Sequence, residues 1–461
     1  MSINVMAGMN RRTVLEDELD SFDADERGQA LERLAGEYGR LLGPEKTNVN
    51  MHLHSFFSYN AEDYSPSHLA WEARKAGLYA AGLCDFDVLD GLEEFLDAGL
   101  TLGLRTTVNI ETRAYLPEFA DVDISSPGEP GVTYIMGAGF ARTPAPGSPQ
   151  EVALLGYRQR AHERNVALVS RINAHLPQMA VDYEQDVLPL TPSGAATERH
   201  IVKAYLHKVV SVLEHPAEVA AFWSRMLGKD AEQSLLLLTD LPNLEETVRA
   251  KLVKRGGVGY VQPSVGTFPP VDEFVNWVRA CEAVPMTTWL DGTSGGERDP
   301  RALLECMRAK GAAALNIIPD RNWNVADPKQ REIKQRNLKA IVETAEDMGL
   351  PINIGTEMNR AGQLLSDDLD GEALRPYKDI FTRGARIMVG HTRLLRFAGL
   401  SYVGGRASSE FGEIRARNAF FERVGALPAL TANEADALED MGAEKALEWL
   451  RERAKHGQQK S

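Results

Sequence analysis

The chain has 461 residues, of which 43% are hydrophobic and 25% are charged. This composition is typical of a globular protein, and the length suits one large α/β domain with additions or two to three domains. The formal net charge of −15 argues against a general nucleic-acid binder, because an acidic surface repels phosphate backbones. A small phosphorylated substrate in a locally basic pocket stays compatible with that charge.

Membrane and secretion signals are weak throughout. No apolar run approaches the roughly 20 residues that span a bilayer, and the first residues lack a continuous apolar core of signal-peptide type. The three cysteines, Cys84, Cys281 and Cys306, form no CxxC motif and no disulfide framework. We therefore expect a cytoplasmic protein that acts on a small molecule without a membrane, either alone or as a homo-oligomer.

The first part of the chain predicts an N-terminal helical extension over residues 1–47, followed by strand–helix–strand units. The strands are predicted at "TNVNMHLH", "YAAGLCDFD" and "RTTVNIET", and the helices between them at "SPSHLAWEARKAGL" and "GLEEFLDAGLTLGL". Polar residues collect where these strands end. That edge is where (β/α) barrels place their active sites.

The middle of the chain interrupts this rhythm. A Gly- and Pro-rich stretch containing "GVTYIMGAGF" predicts an elaborated loop or hairpin. A charge-mixed helical insertion is predicted over residues 201–257, between barrel segments 48–200 and 258–404. The second segment repeats the βα pattern and includes one further predicted strand at "ARIMVGHTR", which ends in His391. A helical tail is predicted over residues 405–461.

Four residues at predicted strand ends carry metal-binding chemistry. His52 and His54 lie two apart on a strand, so their side chains share one face, and imidazole suits zinc and iron. Alone, the pair is equally well explained as polar residues at a strand end. Glu111 follows a later strand, where an acid also serves as a helix cap. Glu357 and Asn359 follow another, which could also be a simple Gly-rich turn.

Further polar residues have weaker patterns. His200 lies at a helix start behind Arg199 and could act as ligand or base, although a surface histidine explains it as well. Asp85 and Asp87 end a strand and could transfer protons or cap the next helix. His391 could line the same barrel mouth.

The order of these motifs resembles the PHP (polymerase and histidinol phosphatase) superfamily. The likeness runs over residues 48–365, from "MHLHS" through "AGLCDFD", "YIMGAGF" and "ERHIVKAY" to "NIGTEMN". It is greatest for the nucleoside-phosphate phosphatases that carry a helical insertion after an Arg-Pro-His motif. The resemblance implies a distorted (β/α)7 TIM-like barrel of α/β class, up to three metals, and phosphate-ester hydrolysis by a metal-activated water.

Several family ligands are replaced in this chain. Tyr59 stands where the family has Asp, Phe86 and Tyr134 stand where it has His, and the final Asp-x-His becomes Glu357-x-Asn359. The family's Ala-His-Pro is also absent from "TTWLDG". Phenylalanine and tyrosine do not replace imidazole at ligand distances of about 2.0–2.1 Å. The resemblance therefore implies loss of the second and third metal positions.

What the resemblance leaves is one metal position. It implies a single divalent transition metal (zinc, manganese or iron) bound by His52, His54, Glu111 and Glu357. Asp87 and His200 are the predicted catalytic groups. The predicted substrate contacts are Arg199, Asn359 and Arg360.

Three functions stay open at the level of sequence. The first is a metal-dependent hydrolase of PHP type acting on a small phosphate ester or a related molecule. The second is a lyase or isomerase in which one metal polarises a small acid or sugar. The third is a non-catalytic ligand-binding module. An enzyme is the preferred expectation, because the first-metal ligand types are retained.

Overall fold

Seven strands form one nearly closed, barrel-like sheet in the computed structural model of the chain, which describes residues 3–230, 233 and 237–456. The remaining residues of the predicted extension, insertion and tail (1–2, 231–232, 234–236 and 457–461) lie outside the described residues. The strands are β1 (Val49–Leu53), β2 (Ala80–Phe86), β3 (Arg105–Tyr115), β4 (Val132–Ala138), β5 (Val284–Trp289), β6 (Ala314–Ile317) and β7 (Ile352–Ile354).

The strands neighbour one another in chain order, and all pairs are parallel except those that involve β4. The sheet is brought close to closure just beyond β7, where Glu357 forms a β-bridge with Leu53 of β1. The Glu357 amide donates to the His52 carbonyl and the His54 amide donates to the Glu357 carbonyl, each at 2.9 Å. The carboxyl ends of β1 and β7 therefore meet at one edge, as barrel active sites require.

Strand β4 runs antiparallel to both β3 and β5, which confirms the predicted hairpin. Its pairing extends β3 to Tyr115, with Arg113 opposite Tyr134. Glu111 therefore lies within β3 and not at its end as predicted. The residues after Glu111 stay in the strand because β4 supplies their backbone hydrogen-bond partners.

Helices cover the outside of the sheet and fill most of the remaining chain. They begin at the expected signals: in α3, the Ser65 side chain accepts from the His68 amide, Pro66 opens the first turn, and Gly77 ends the helix at φ +79°. The helices are α1 (Ile3–Glu18), α2 (Ala24–Tyr38), α3 (Pro66–Ala76), α4 (Leu92–Leu102), α5 (Pro149–His175), α6 (Glu198–Leu213), α7 (Pro216–Leu227), α8 (Leu241–Leu252), α9 (Val271–Ala280), α10 (Pro300–Lys310), α11 (Asp320–Trp323), α12 (Pro328–Asp347), α13 (Lys378–Ala398), α14 (Gly405–Phe411), α15 (Ile414–Gly425), α16 (Ala432–Met441) and α17 (Ala443–His456).

The strand predicted at "ARIMVGHTR" is wrong, because this segment lies inside helix α13. His391 is fully buried there, and its Nδ1 accepts from the Tyr402 amide at 3.1 Å. It lies against Gly139, where an added Cβ would come within 2.2 Å of the imidazole ring. His391 is thus a packed helix residue and not the end of a strand at the barrel mouth.

The buried apolar side chains of the described residues form a large cluster that includes the strands, a second cluster among helices α5, α6, α7 and α8, and two small clusters. The second cluster begins at Leu168 and ends at Val253, so it includes the end of α5, ahead of the predicted insertion. The predicted domain boundaries stay predictions. None of the helices that the structure describes combines the length and apolar character needed to cross a membrane.

Candidate metal centre

Four buried side chains meet where β1 and β7 come together: His52 in β1, His54 just after it, Glu111 in β3 and Glu357 after β7. One ligand atom from each lies within 4.8 Å of all the others. The two histidine Nε2 atoms are 3.3 Å apart, and each lies 3.6 Å from Glu111 Oε2. The structure thus brings together the four residues predicted as ligands.

These spacings fit a small divalent cation. A tetrahedral site with metal–ligand distances of about 2.1 Å has ligands about 3.4 Å apart, close to the three spacings among His52, His54 and Glu111, while Glu357 lies within 4.8 Å of them. Two imidazole nitrogens and two carboxylates also suit zinc, manganese or iron better than calcium or magnesium, which prefer oxygen alone. The geometry and the donor types therefore both fit a metal, while the ligand roles themselves stay predictions.

The backbone after β7 adopts a costly conformation to place Glu357. Glu357 and Met358 have φ values of +68° and +54°, a left-handed region that L-residues other than glycine rarely adopt. The two backbone hydrogen bonds to β1 hold this turn in place. Strain of this kind, at roughly 1–3 kcal/mol per residue, is concentrated at functional sites.

A hydrogen bond with Ser58, which lies outside the four-residue group, sets the tautomer of His54. The Ser58 hydroxyl donates to Asp85 at 2.7 Å and lies 3.3 Å from His54 Nδ1. Its one hydrogen is used on Asp85, so it accepts from His54 Nδ1–H. The lone pair of His54 then lies on Nε2, which faces the group. Ser58 was not among the predicted site residues, although its position within "MHLHSFFSYN" was a usable signal.

Arg321 forms an ion pair with Glu357, the ligand candidate that follows β7. Its guanidinium donates to one carboxylate oxygen of Glu357 at 3.2 Å. Burial is the largest influence and would raise the pKa of Glu357, but Arg321, His52 and His54 together outweigh it and hold that pKa below its ordinary value. A carboxylate that is ionised and held at one oxygen leaves its other oxygen available as a ligand.

The two histidines have opposite pKa shifts. Burial lowers the pKa of His54 to about 3, and the neighbouring His52 adds to this effect. Burial would also lower the pKa of His52, but Cys84 and Glu111 outweigh burial and hold it well above its ordinary value. Without metal, the neighbouring Glu111 thus favours the protonated form of the His52 ring.

This difference predicts how metal binding depends on pH. A metal must displace the proton from His52 Nε2, so protons compete with it. We expect zinc affinity to fall by about tenfold for each pH unit below the pKa of His52. Competition with a chromophoric chelator between pH 6 and pH 8 measures this slope. A pH-independent affinity would contradict the raised pKa of His52.

The predicted catalytic residues have local partners of their own. Asp87 accepts a hydrogen bond from Thr112 and lies 3.8 Å from Arg164, while burial raises its pKa. His200 caps the start of α6, where its Nδ1 accepts from the Thr197 amide at 3.0 Å. Burial lowers the pKa of His200 to about 3, so its ring is neutral near pH 7. Neither residue belongs to the four-residue group.

The predicted substrate contacts are dispersed. Arg199 is paired with Glu246 of α8 at 2.7 Å and lies over the Tyr59 ring. Asn359 is half-buried and Arg360 is exposed, both just beyond the left-handed turn at Glu357. Their roles toward a substrate stay predictions.

Aromatic side chains occupy positions where the resembling family has ligands. The Tyr59 ring packs against His200, with ring centroids 5.3 Å apart. Phe86 and Tyr134 form an edge contact with centroids 6.3 Å apart. Among the described residues, no second group of three or more histidine, cysteine or carboxylate side chains meets closely enough to hold a metal.

Comparison with known proteins gives structural likeness only. No protein-family model matches the chain. No curated protein matches it either. A candidate metal-dependent phosphoesterase from Bifidobacterium adolescentis is 18% identical over 73% of this chain and 98% of its own, with a TM-score of 0.46. An amidohydrolase from Chromobacterium violaceum, solved with sulfate and without metal, is 16% identical over 72% of this chain and 95% of its own, with a TM-score of 0.47.

Proposed function

We propose that this protein is a metal-dependent hydrolase of PHP type that cleaves a small phosphate ester or a related small molecule. The observation that carries the proposal is the convergence of His52, His54, Glu111 and Glu357 within 4.8 Å. Their burial supports it further, because buried acids and histidines without a partner are costly. A bound cation offsets that cost.

The proposed site holds one divalent transition metal. Two imidazoles and two carboxylates are enough donors to hold one ion, which would have to keep a further position open for water or a substrate oxygen, and Tyr59, Phe86 and Tyr134 offer no equivalent donors for a second ion. When bound, a single divalent ion supplies Lewis acidity, which polarises an oxygen and lowers the pKa of water. It lacks the two-metal clamp, so the surrounding protein groups must contribute more to binding and proton transfer.

The proposed substrate contacts begin at Arg321. Its guanidinium uses one N–H on Glu357, and its side chain is 44% exposed, so further donors are available to an anionic group. Arg199, Asn359 and Arg360 are the proposed contacts for the rest of the substrate. This substrate is a small molecule met in the cytoplasm, and the protein acts alone or as a homo-oligomer.

Proton transfer is proposed for His200 and Asp87. Burial lowers the pKa of His200 to about 3, so its ring is neutral near pH 7 and its free nitrogen can orient the attacking water, but so low a pKa makes it a weak base. Burial raises the pKa of Asp87, which suits a group that returns a proton to a leaving group.

Elemental analysis of the purified protein, followed by a panel of phosphate esters, tests the proposal. We expect about one transition metal per chain and release of phosphate from at least one ester. A metal-loaded protein that releases no phosphate but converts small acids or sugars would favour the lyase or isomerase instead. If the protein holds no stoichiometric metal even after loading with zinc, manganese or iron, both enzyme functions are excluded and the non-catalytic ligand-binding module is favoured.

A further inference from the structure

The amide of Asn316 is mismatched to a metal-binding histidine. Asn316 lies in β6 with its side chain fully buried inside the barrel. Its Nδ2 lies 3.1 Å from Nδ1 of His52. Its Oδ1 is buried and has no hydrogen-bond partner, although a buried amide oxygen without a partner is costly.

A metal on His52 Nε2 leaves no tautomer of the ring in which this contact is a hydrogen bond. If His52 uses Nε2 as the ligand atom, the neutral ring carries its hydrogen on Nδ1. Nδ1–H is then a donor, and it faces the Asn316 Nδ2, which is also a donor. Two donors 3.1 Å apart cannot form a hydrogen bond. His54 has no such conflict, because Ser58 accepts from its Nδ1–H.

Rotating the terminal amide of Asn316 by half a turn removes the contact between two donors and gives Oδ1 a partner, while Nδ2 moves to the place that Oδ1 now occupies. The two ends of an asparagine amide are almost identical in shape, so the rotation needs no change in packing. It places Oδ1 where Nδ2 now lies, within hydrogen-bond distance of His52 Nδ1–H, and so gives the orphaned oxygen a partner. Asn353, the register partner of Asn316 on β7, has an unpartnered amide oxygen of its own on the adjoining strand.

We propose that Asn316 is a positioning residue for the metal: in the metal-bound protein its Oδ1 accepts from His52 Nδ1–H and fixes the ring with Nε2 toward the ion. An acceptor of this kind selects the tautomer, holds the ring plane and raises the basicity of the ligand. This inference rests on the proposed function, because it requires a metal at the four-residue group. The substrate and the reaction do not enter it.

Three variants separate this role from a general packing role. Asn316→Asp keeps an acceptor oxygen at the same position, whereas Asn316→Leu removes it at similar volume. Asn353→Leu is the matched control, because it changes a fully buried asparagine at the paired position whose side chain makes no hydrogen bond. Zinc affinity, measured by competition with a chromophoric chelator, is the main readout, and the unfolding midpoint without metal is recorded for each protein.

We expect Asn316→Leu to weaken zinc binding by about 10- to 100-fold, while Asn316→Asp and Asn353→Leu stay close to the unaltered protein. Equal zinc affinity in the Leu and Asp variants at position 316 would overturn the proposal. An equal loss in Asn353→Leu would also overturn it, because the effect would then belong to packing. If the unaltered protein binds no zinc, the proposed metal site itself fails.

A spectroscopic measurement on the unaltered protein keeps the proposal testable if Asn316→Leu does not fold. Long-range nitrogen–proton spectra of the zinc-loaded, histidine-labelled protein report which ring nitrogen carries the hydrogen. We expect His52 to be protonated at Nδ1 and metal-bound at Nε2, with a slowly exchanging Nδ1–H. A His52 ring that binds zinc through Nδ1 would contradict the assignment of Asn316.

Discussion

Substituting Glu111 by glutamine is expected to remove tight metal binding while leaving the fold intact. Glu111 lies 3.6 Å from both histidine Nε2 atoms, so it is one of the four proposed ligands and one of the two carboxylates in the group. Binding free energies of structural zinc sites are about 10–16 kcal/mol for four ligands, or roughly 3 kcal/mol per ligand. We therefore expect Glu111→Gln to weaken zinc binding more than a hundredfold.

The measurement compares thermal unfolding with and without zinc. A ligand that binds only the folded state raises the unfolding temperature in proportion to its affinity, so zinc should stabilise the unaltered protein and not Glu111→Gln. Glu129→Gln is the control: Glu129 is also buried and paired with an arginine, but it lies in the β3–β4 connection outside the group. Zinc stabilisation of Glu111→Gln equal to that of the unaltered protein would refute the assigned ligand set.

The meeting of these side chains was predictable in part, because the direction of a side chain on a strand depends only on its position in the local sequence. A two-residue spacing puts His52 and His54 on one face, and the carboxyl ends of parallel strands meet at one edge. Glu357 follows from the same rule, whereas Glu111 lies within β3 and joined the predicted ligand set through the family resemblance. The sequence did not show that β3 continues past Glu111, because that depends on pairing with the distant backbone of β4.

The failures have a common physical origin. The run around His391 is apolar enough for a strand or a buried helix, and short apolar runs do not separate the two by periodicity. Asn316 was missed because its importance comes from a contact with a residue 264 positions away. Asn316 is the one polar residue in the apolar strand "ALNI", which indicated that it is unusual. Its contact with the His52 ring became visible only in the folded barrel.

The second large effect is expected where the barrel closes over the metal ligands. Gly355 follows β7 directly and lies against β1. An added Cβ would come within 2.4 Å of His52 Cβ, 2.5 Å of Asn50 Oδ1 and 2.6 Å of the His52 amide nitrogen. These neighbours cannot move freely, because the His52 amide donates to Asn50 Oδ1 at 2.9 Å and the His52 carbonyl accepts from the Glu357 amide.

Gly355→Ala should therefore either push β7 away from β1 or displace His52. Overpacking of a core costs typically 1–3 kcal/mol, and we expect about 3 kcal/mol here because the methyl group meets His52 Cβ, the His52 amide nitrogen and the hydrogen-bonded Asn50 Oδ1. Either movement also separates His52 from Glu357, so zinc affinity should fall along with the free energy of unfolding. Chemical denaturation and the chelator competition measure the two losses on the same protein.

Gly36→Ala is the matched control, because Gly36 lies in helix α2 with nothing within 4 Å of an added Cβ. Alanine is favoured over glycine inside a helix by about 1 kcal/mol, so this change should stabilise the protein slightly and leave zinc affinity unchanged. A Gly355→Ala protein that keeps both its stability and its zinc affinity would mean that β1 and β7 are not in close contact. Loss of zinc affinity with little loss of stability would instead locate the strain in His52 itself, and closure of the barrel and assembly of the ligands would then be separable.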